Sequence, residues 1–244
     1  MRTGENITFD TMRGKRSLRV LHLSDLLFEE KPGGSRQVAR ELLRELNKAG
    51  HRTTLLVGTQ SEGEDKRRID PDQGEIVQYY KGASPTEWIQ NGRAAAERTL
   101  ASAEKEGRPF DIIHTHFAYS AVGPLRAVAG RIPHIRSFYG PWDAEGWVED
   151  SGLTRNAPLW KKPLLFTRAV IKRKYRHSVE AQNLAASKYA IILSEQSRGE
   201  VEEFGYSAQN VVKIPGGVNR DRFQVQIDNP RARIEARASV QLPT

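Results

Sequence analysis

The chain's 244 residues, 38% hydrophobic and 28% charged, suit one large folded domain with tails and exclude wholesale disorder. There is no cysteine, which excludes disulfides, thiolate zinc sites and a cysteine nucleophile and fits a reducing cytoplasm. Lys and Arg outnumber Asp and Glu by 38 to 30, a balance that favours anionic partners such as nucleotide diphosphates, anionic lipid headgroups or nucleic acid.

Residues 1–16 read as a basic tail without the apolar segment of a signal peptide. No apolar run reaches the ~20 residues of a spanning helix, so the expectation is a soluble, cytoplasmic protein. Residues 18–23 read as a buried strand, followed by a loop ending in Pro32-Gly33-Gly34. Ser35 suits an N-cap, Val38, Leu42, Leu46 and Ala49 recur at helical spacing, and Gly50 is a natural stop before a strand at 53–57. A charged loop (61–74), a strand (75–80), a helix (85–106) and a strand (110–116) come next. Then follow a short helix (121–129), a strand (133–138) and a long loop (139–158) holding Trp142 and Trp147. A basic helix (159–186) with Pro163 near its start leads to a strand (189–193), a helix (195–204) and a last strand (211–214). Residues 231–244 begin as a short charged helix. The alternation predicts an α/β sandwich of three layers, its mostly parallel sheet of about six or seven strands covered on both faces.

Several positions carry chemistry. Gly33 and Gly34 before a helix N-terminus suit an anion, or simply a tight turn. There is no G-x-G-x-x-G, which disfavours a dinucleotide cofactor. His114 and His116 share one strand face at the carboxyl end, where α/β ligands bind. Such a pair could serve a metal, but no carboxylate stands at suitable spacing, so no metal is expected. His114 reads as structural, satisfied by a backbone group. Tyr139 and Trp142 offer aromatic faces for sugar C–H surfaces, with Asp143 and Glu145 for hydroxyls, unless 139–158 is only a packed loop. Lys161, Arg168, Lys172 and Arg176 fall on one face of the long helix. That face is either a solvated charged surface or, through 159–179, a peripheral contact with anionic lipid or a partner chain. No nucleic-acid-binding module is present.

Four segments in order resemble the family-four glycosyltransferases: 18–23 with Pro32-Gly33-Gly34; Asp111-Ile112-Ile113-His114-Thr115-His116; Ser194-Glu195 through Glu203-Phe204-Gly205; and Ile214-Pro215-Gly216-Gly217-Val218-Asn219 running on to Phe223. The resemblance covers about 17–244 and implies one half of a GT-B fold, in which two Rossmann-like domains face a cleft. The N-terminal domain mainly holds the acceptor and the C-terminal one the nucleotide-sugar donor. By this resemblance 17–225 is the N-terminal, acceptor-side domain, and 226–244 is a helical linker toward a donor domain. That domain would lie beyond this chain, removed by truncation or carried on a partner polypeptide.

The implied activity is retaining transfer of a hexose-type group from a nucleotide sugar to a hydroxyl acceptor, with no bound cofactor. The resemblance sets Gly33, Gly34 and Ser35 beside the donor diphosphate and His116 against the transferred sugar as an orienting hydrogen-bonding group. It leaves Tyr139, where many relatives carry histidine, with Gly140, Trp142 and Asp143 for the acceptor. Glu195 and Glu203 have the spacing of the family's donor-domain acidic pair, but on an N-domain helix, and are taken as coincidence. A non-catalytic acceptor-binding or scaffold subunit is the second expectation, and an unrelated Rossmann-like nucleotide binder the third.

Overall fold

The computed structural model describes residues 16–25, 27, 33–63, 65–128, 130–217 and 230–239. The tail at 1–15, Pro32, the motif residues Val218, Asn219 and Phe223, the boundary at 225 and the terminal 240–244 lie outside the described residues.

Strand β1 (Arg19–Ser24) leads to helix α1 (Gly34–Lys48), β2 (Arg52–Thr59), β3 (Lys66–Asp70) and β4 (Gly74–Tyr80). Then come α2 (Pro85–Lys105), β5 (Ile112–Thr115), α3 (Ala118–Val128) and β6 (His134–Phe138). The remainder is α4 (Trp142–Asn156), α5 (Lys162–Ala185), β7 (Tyr189–Ile192), α6 (Gln196–Glu203), β8 (Val211–Lys213) and α7 (Pro230–Ser239). The strands form one eight-stranded sheet in the order β3-β4-β2-β1-β5-β6-β7-β8. All neighbours are parallel except β3 and β4. The chain builds outward from β1 on one side, then crosses back to β5 on the other. The reversal falls between β1 and β5, where Leu21 pairs with Ile113 and His22 with His114.

The eighth strand comes from the segment expected to be a charged loop. Asp70 Oδ1 accepts from the backbone amides of Asp72 and Gln73 at 3.0 and 2.9 Å, turning the chain into the β3–β4 hairpin. Gly74 follows at φ 77, and a Cβ there would collide with the Thr53 carbonyl. Lys66, Arg67, Arg68 and Ile69 are all exposed, so β3 has no apolar alternation to betray it. One further expectation shifts, at the start of α1. Gly33, not Ser35, is the N-cap of α1 and makes no side-chain capping bond, which leaves Ser35 as the second helical residue. Helix α2 opens as expected: Ser84 caps it by accepting from Glu87 N, with Pro85 in the first turn.

The larger correction is α4, where a loop was expected. Its buried residues are Asp143, Gly146 and Asp150, so the inward stripe is polar and its partners are cations of α5. Asp150 binds Lys172 Nζ at 2.7 Å and Arg176 Nη1 at 2.8 Å, and Asp143 Oδ2 lies 3.2 Å from His177 Nδ1. Arg176 crosses directly over Gly146. A 3-10 turn, Leu159–Lys161, joins the two helices, and Pro163 sits in the first turn of α5 where its missing N–H is tolerated.

One face of the sheet packs on α2 and α3 through Leu21, Leu23, Leu56, Val77, Ala96, Leu100 and Ile113. Gly123 lets these two helices touch, because a Cβ there would land on the Ile89 carbonyl. Leu55, Val57 and Ile76 pack against Ala39 and Leu43 of α1. Phe138, Leu184, Ile192, Val201 and Tyr206 form the core beneath β6 and β7. Among the described residues no helix is long and apolar enough to cross a membrane.

Candidate functional site

A cavity of about 380 Å³ opens at the carboxyl ends of β1, β5 and β6, beside the β1–β5 reversal. Parallel sheets leave a crevice there, because neighbouring connections depart to opposite faces. Ser24 and Asp25 line it from the end of β1; Gly34, Ser35 and Arg36 from the start of α1; and His116 from the end of β5. Arg136 of β6, Tyr139 and Gly140 after it, Trp142 and Glu145 of α4, and Glu180 of α5 complete it.

The site residues expected from sequence mostly converge here. Gly34, Ser35, His116, Tyr139, Gly140 and Trp142 line the cavity. Gly33 sits just behind as the α1 N-cap, in extended backbone at φ −170. Asp143 does not line the cavity: it is buried against α5, engaged with His177 and, at 3.9 Å, Arg173. Its place in the first turn of α4 also suits a carboxylate.

The floor is a buried histidine cluster. His116 Nε2 lies 3.0 Å from His22 Nδ1, and His116 Nδ1 lies 2.9 Å from the Tyr139 hydroxyl. His22 and His116 are stacked with centroids 5.3 Å apart, and His114 is 4.3 Å from His116. His114 Nε2 pairs with the Ser137 hydroxyl at 2.8 Å, a side chain rather than the backbone group expected. Burial holds the imidazolium form down: His22 titrates at about 3, and His114 and His116 fall well below 6.5. All three rings are therefore neutral near pH 7. Three such rings could in principle hold a metal ion, and their ligand atoms lie within 4.8 Å of one another. However, both nitrogens of His116 and one each of His22 and His114 are already bonded to protein groups. Among the described residues no carboxylate is hydrogen-bonded to any of the three rings, so the donor set does not fit a resident metal.

Beside the histidines lies an ion pair with no solvent access to speak of. Arg136 donates through Nη2 and Nε to Glu180 Oε1 at 2.7 and 3.1 Å, with side chains 3% and 0% exposed. At the mouth, Arg36 Nη2 reaches Asp25 Oδ2 at 3.3 Å, and Lys81 Nζ donates to the Asp25 carbonyl at 2.7 Å. Among the described residues the first turn of α1 carries no acidic side chain and no side-chain cap, and Gly34, Ser35 and Arg36 line the cavity there, so this helix end suits an anion. Trp142 stands against Phe117 at 5.0 Å and under the Arg176 guanidinium at 5.6 Å. Burial raises the Glu145 carboxyl above its usual range, with Glu180 and Glu200 adding to the rise.

Sequence reasoning missed His22, Arg136 and Glu180. Each left a trace: a histidine inside an apolar strand, an arginine inside another, and Glu180 as the first acid after a long basic run.

With this architecture in view, the Glycosyltransferase Family 4 sequence profile matches residues 32–222. The chain belongs to Glycosyltransferase Family 4. No curated protein matches it in sequence. Among solved structures this family-four chain is similar to sucrose-phosphate synthase from Thermosynechococcus elongatus, at 17% identity and a TM-score of 0.63 over 93% of this chain and 53% of that one. It is also similar to the catalytic domain of starch synthase IV from Arabidopsis thaliana bound to ADP and acarbose, at 13% identity and a TM-score of 0.56, covering 93% and 59%. Anabaena Alr3699/HepE in complex with UDP-glucose gives 12% identity and a TM-score of 0.54, covering 92% and 50%. At these identities the likeness is one of fold. The chain spans half or a little over half the length of these three structures, which agrees with a GT-B N-terminal domain.

Proposed function

We propose that this family-four chain is the acceptor-binding half of a retaining glycosyltransferase. It would move a sugar from a nucleotide-sugar donor to a hydroxyl acceptor, with a second Rossmann-like domain supplying most of the donor site. The observation that carries the proposal is the cavity itself. It joins the uncapped N-terminus of α1, suited to a diphosphate, with the neutral His116–Tyr139 pair and the aromatic wall at Trp142. The complexes of its structural relatives with UDP-glucose and with ADP support a nucleotide-sugar donor.

In the reaction the bond from the anomeric carbon to the diphosphate breaks and a bond to the acceptor oxygen forms on the same face. The acceptor's proton leaves with the departing phosphate. This chain's part is positioning and electrostatics. The α1 amides stabilise the diphosphate as its negative charge grows, His116 and Tyr139 hold the transferred sugar, and Trp142 packs on the acceptor. Asp143, bound to His177 of α5, would brace the start of α4 rather than touch substrate. A single domain presents only one wall of such a site, so the 244-residue chain alone should turn over almost nothing.

One observation favours a second reading, a non-catalytic binding or scaffold subunit: both ring nitrogens of His116 are bonded within the protein. The deciding experiment co-expresses the chain with a donor-type domain and follows release of nucleoside diphosphate and transfer of labelled sugar. Transfer by the pair that falls with His116→Ala supports the transferase. Transfer indifferent to that change supports the scaffold, and robust turnover by the chain alone overturns the divided site.

A further inference from the structure

Between Ser151 and Val179 there are eight Lys and Arg and no Asp or Glu, so this one segment matches the chain's whole formal excess of +8. It covers the C-terminal end of α4, the 3-10 turn and most of α5. Lys172 and Arg176 are tied to Asp150, and Arg173 lies near Asp143. Arg155, Lys161, Lys162, Arg168 and Lys174 make no ion pair among the described residues. Large apolar side chains stand out among them: Leu153 is 64% exposed, Leu159 81%, Trp160 77% and Leu164 74%. Ile171 continues the stripe along α5 at 63%. Lys161 lies 4.6 Å over the Trp160 ring, which leaves the indole and its charge facing outward together.

The direction of this hairpin is fixed by its contacts. Asp143 is level with His177, Asp150 with Lys172, and Trp147 with Phe166, so α4 climbs α5 toward the latter's N-terminus. Glu180 sits in the cavity, and Leu164 is about 24 Å of helix axis further on at 1.5 Å per residue. The tip therefore projects beyond the carboxyl edge of the sheet, on the side where the cavity opens.

We infer that this hairpin tip docks on an anionic lipid bilayer, which sets the cavity mouth at the membrane surface. Lysine is depleted in protein–protein interfaces, whereas tryptophan and leucine beside unpaired lysines are what an interfacial helix offers to acidic headgroups. The apolar side chains enter the headgroup–acyl boundary and the cations meet the phosphates. An acceptor delivered there would carry its hydroxyl on a lipid headgroup. Bilayer docking itself needs neither donor nor chemistry, so it stands or falls apart from the transferase proposal.

The test is co-sedimentation of the 244-residue chain with vesicles of pure phosphatidylcholine and of phosphatidylcholine mixed with phosphatidylglycerol. Binding is expected only to the mixed vesicles and should be released by salt. Lys161→Gln with Lys162→Gln should lower the partition roughly thirtyfold. Trp160→Ala with Leu164→Ala should abolish it, with thermal unfolding unchanged because both side chains are exposed. Failure to bind mixed vesicles, equal binding to both lipids, or variants that bind like the parent would overturn the inference. So would a dimer in light scattering that Trp160→Ala with Leu164→Ala dissolves while vesicles are ignored, since the tip would then be covered by a second copy.

Discussion

His22 and His116 share a single hydrogen bond, Nδ1 to Nε2 at 3.0 Å, and the far nitrogen of His22 has no partner among the described residues. A buried N–H without an acceptor is rarer in proteins than a buried acceptor without a donor. The proton of His22 therefore sits on Nδ1 and points at His116. His116 must then carry its own proton on Nδ1 and donate it to the Tyr139 oxygen, leaving the tyrosine's own proton for another acceptor, with the Ser137 hydroxyl beside it. The hydrogen-bond donor at the end of this relay is the phenol, not the imidazole. Nitrogen NMR of the side chains should find His116 as the Nδ1–H tautomer. Tyr139→Phe should cost about 1–3 kcal/mol by stranding that proton. Observation of the Nε2–H form would reverse the direction of the chain of bonds.

Four buried histidines make the fold sensitive to acid. His22 titrates at about 3 and His134 at about 4, while His114 and His116 lie well below 6.5, all chiefly because burial disfavours the charged ring. In the unfolded chain each takes a proton near pH 6.5. Above that pH the two states bind equally and nothing is lost. Below it the unfolded state binds more protons, and each histidine removes up to about 1.4 kcal/mol per pH unit until its folded value is reached. For His134 the loss runs from about 6.5 to about 4. Urea unfolding at pH 7, 6 and 5 should show a steep fall, made shallower by His134→Gln. A stability flat across that interval would contradict it.

Replacing Arg136 with Met should leave Glu180 buried opposite an apolar side chain. A buried pair broken from one side typically loses about 3–5 kcal/mol, far more than the pair contributes as a whole. Arg136→Met with Glu180→Leu should recover most of that loss, read by the same denaturant midpoints. A single variant as stable as the parent would mean that water reaches Glu180 despite its 0% exposure.

Two glycines separate shape from function. Outside its own helix, none of the described residues comes within 4 Å of a Cβ built on Gly34, whereas one on Gly123 would strike the Ile89 backbone. Gly123→Ala should force α2 and α3 apart and destabilise the chain by about 1–3 kcal/mol. Gly34→Ala, in the first turn of α1, should leave stability unchanged or slightly raised. If a diphosphate approaches the α1 amides, it should nonetheless weaken UDP binding in calorimetry. Loss of stability without loss of binding in Gly34→Ala would remove the diphosphate from that helix end.

The parallel sheet was legible because its strands are apolar runs, as at 18–23, and α1 has an apolar side, although its fully buried positions are Ala39 and Leu43, one place on from the half-buried Val38, Leu42 and Leu46 stripe. Helix α4 was not, because the seam it buries is Asp143, Gly146 and Asp150 matched to cations of another helix, and hydropathy reads such a segment as a loop. Site residues next to a recognisable strand end or glycine loop came together as expected. His22 and the Arg136–Glu180 pair escaped notice because their partners lie 94 and 44 positions away along the chain. Asp143 was given to the ligand because a carboxylate after an aromatic looks the same in sequence whichever way it turns.

The small hairpin at the sheet margin bears on how the protein behaves when crowded. Without it the last strand would be β4, whose Ile76, Val77 and Tyr79 are buried and whose free amides and carbonyls would offer a template to any extended chain. Strand β3 covers that margin and presents Lys66, Arg67 and Arg68 in succession. Arg67 and Arg68 are partly balanced by Glu75 and Asp70, but the basic side chains along this edge still disfavour a second copy pairing there strand to strand.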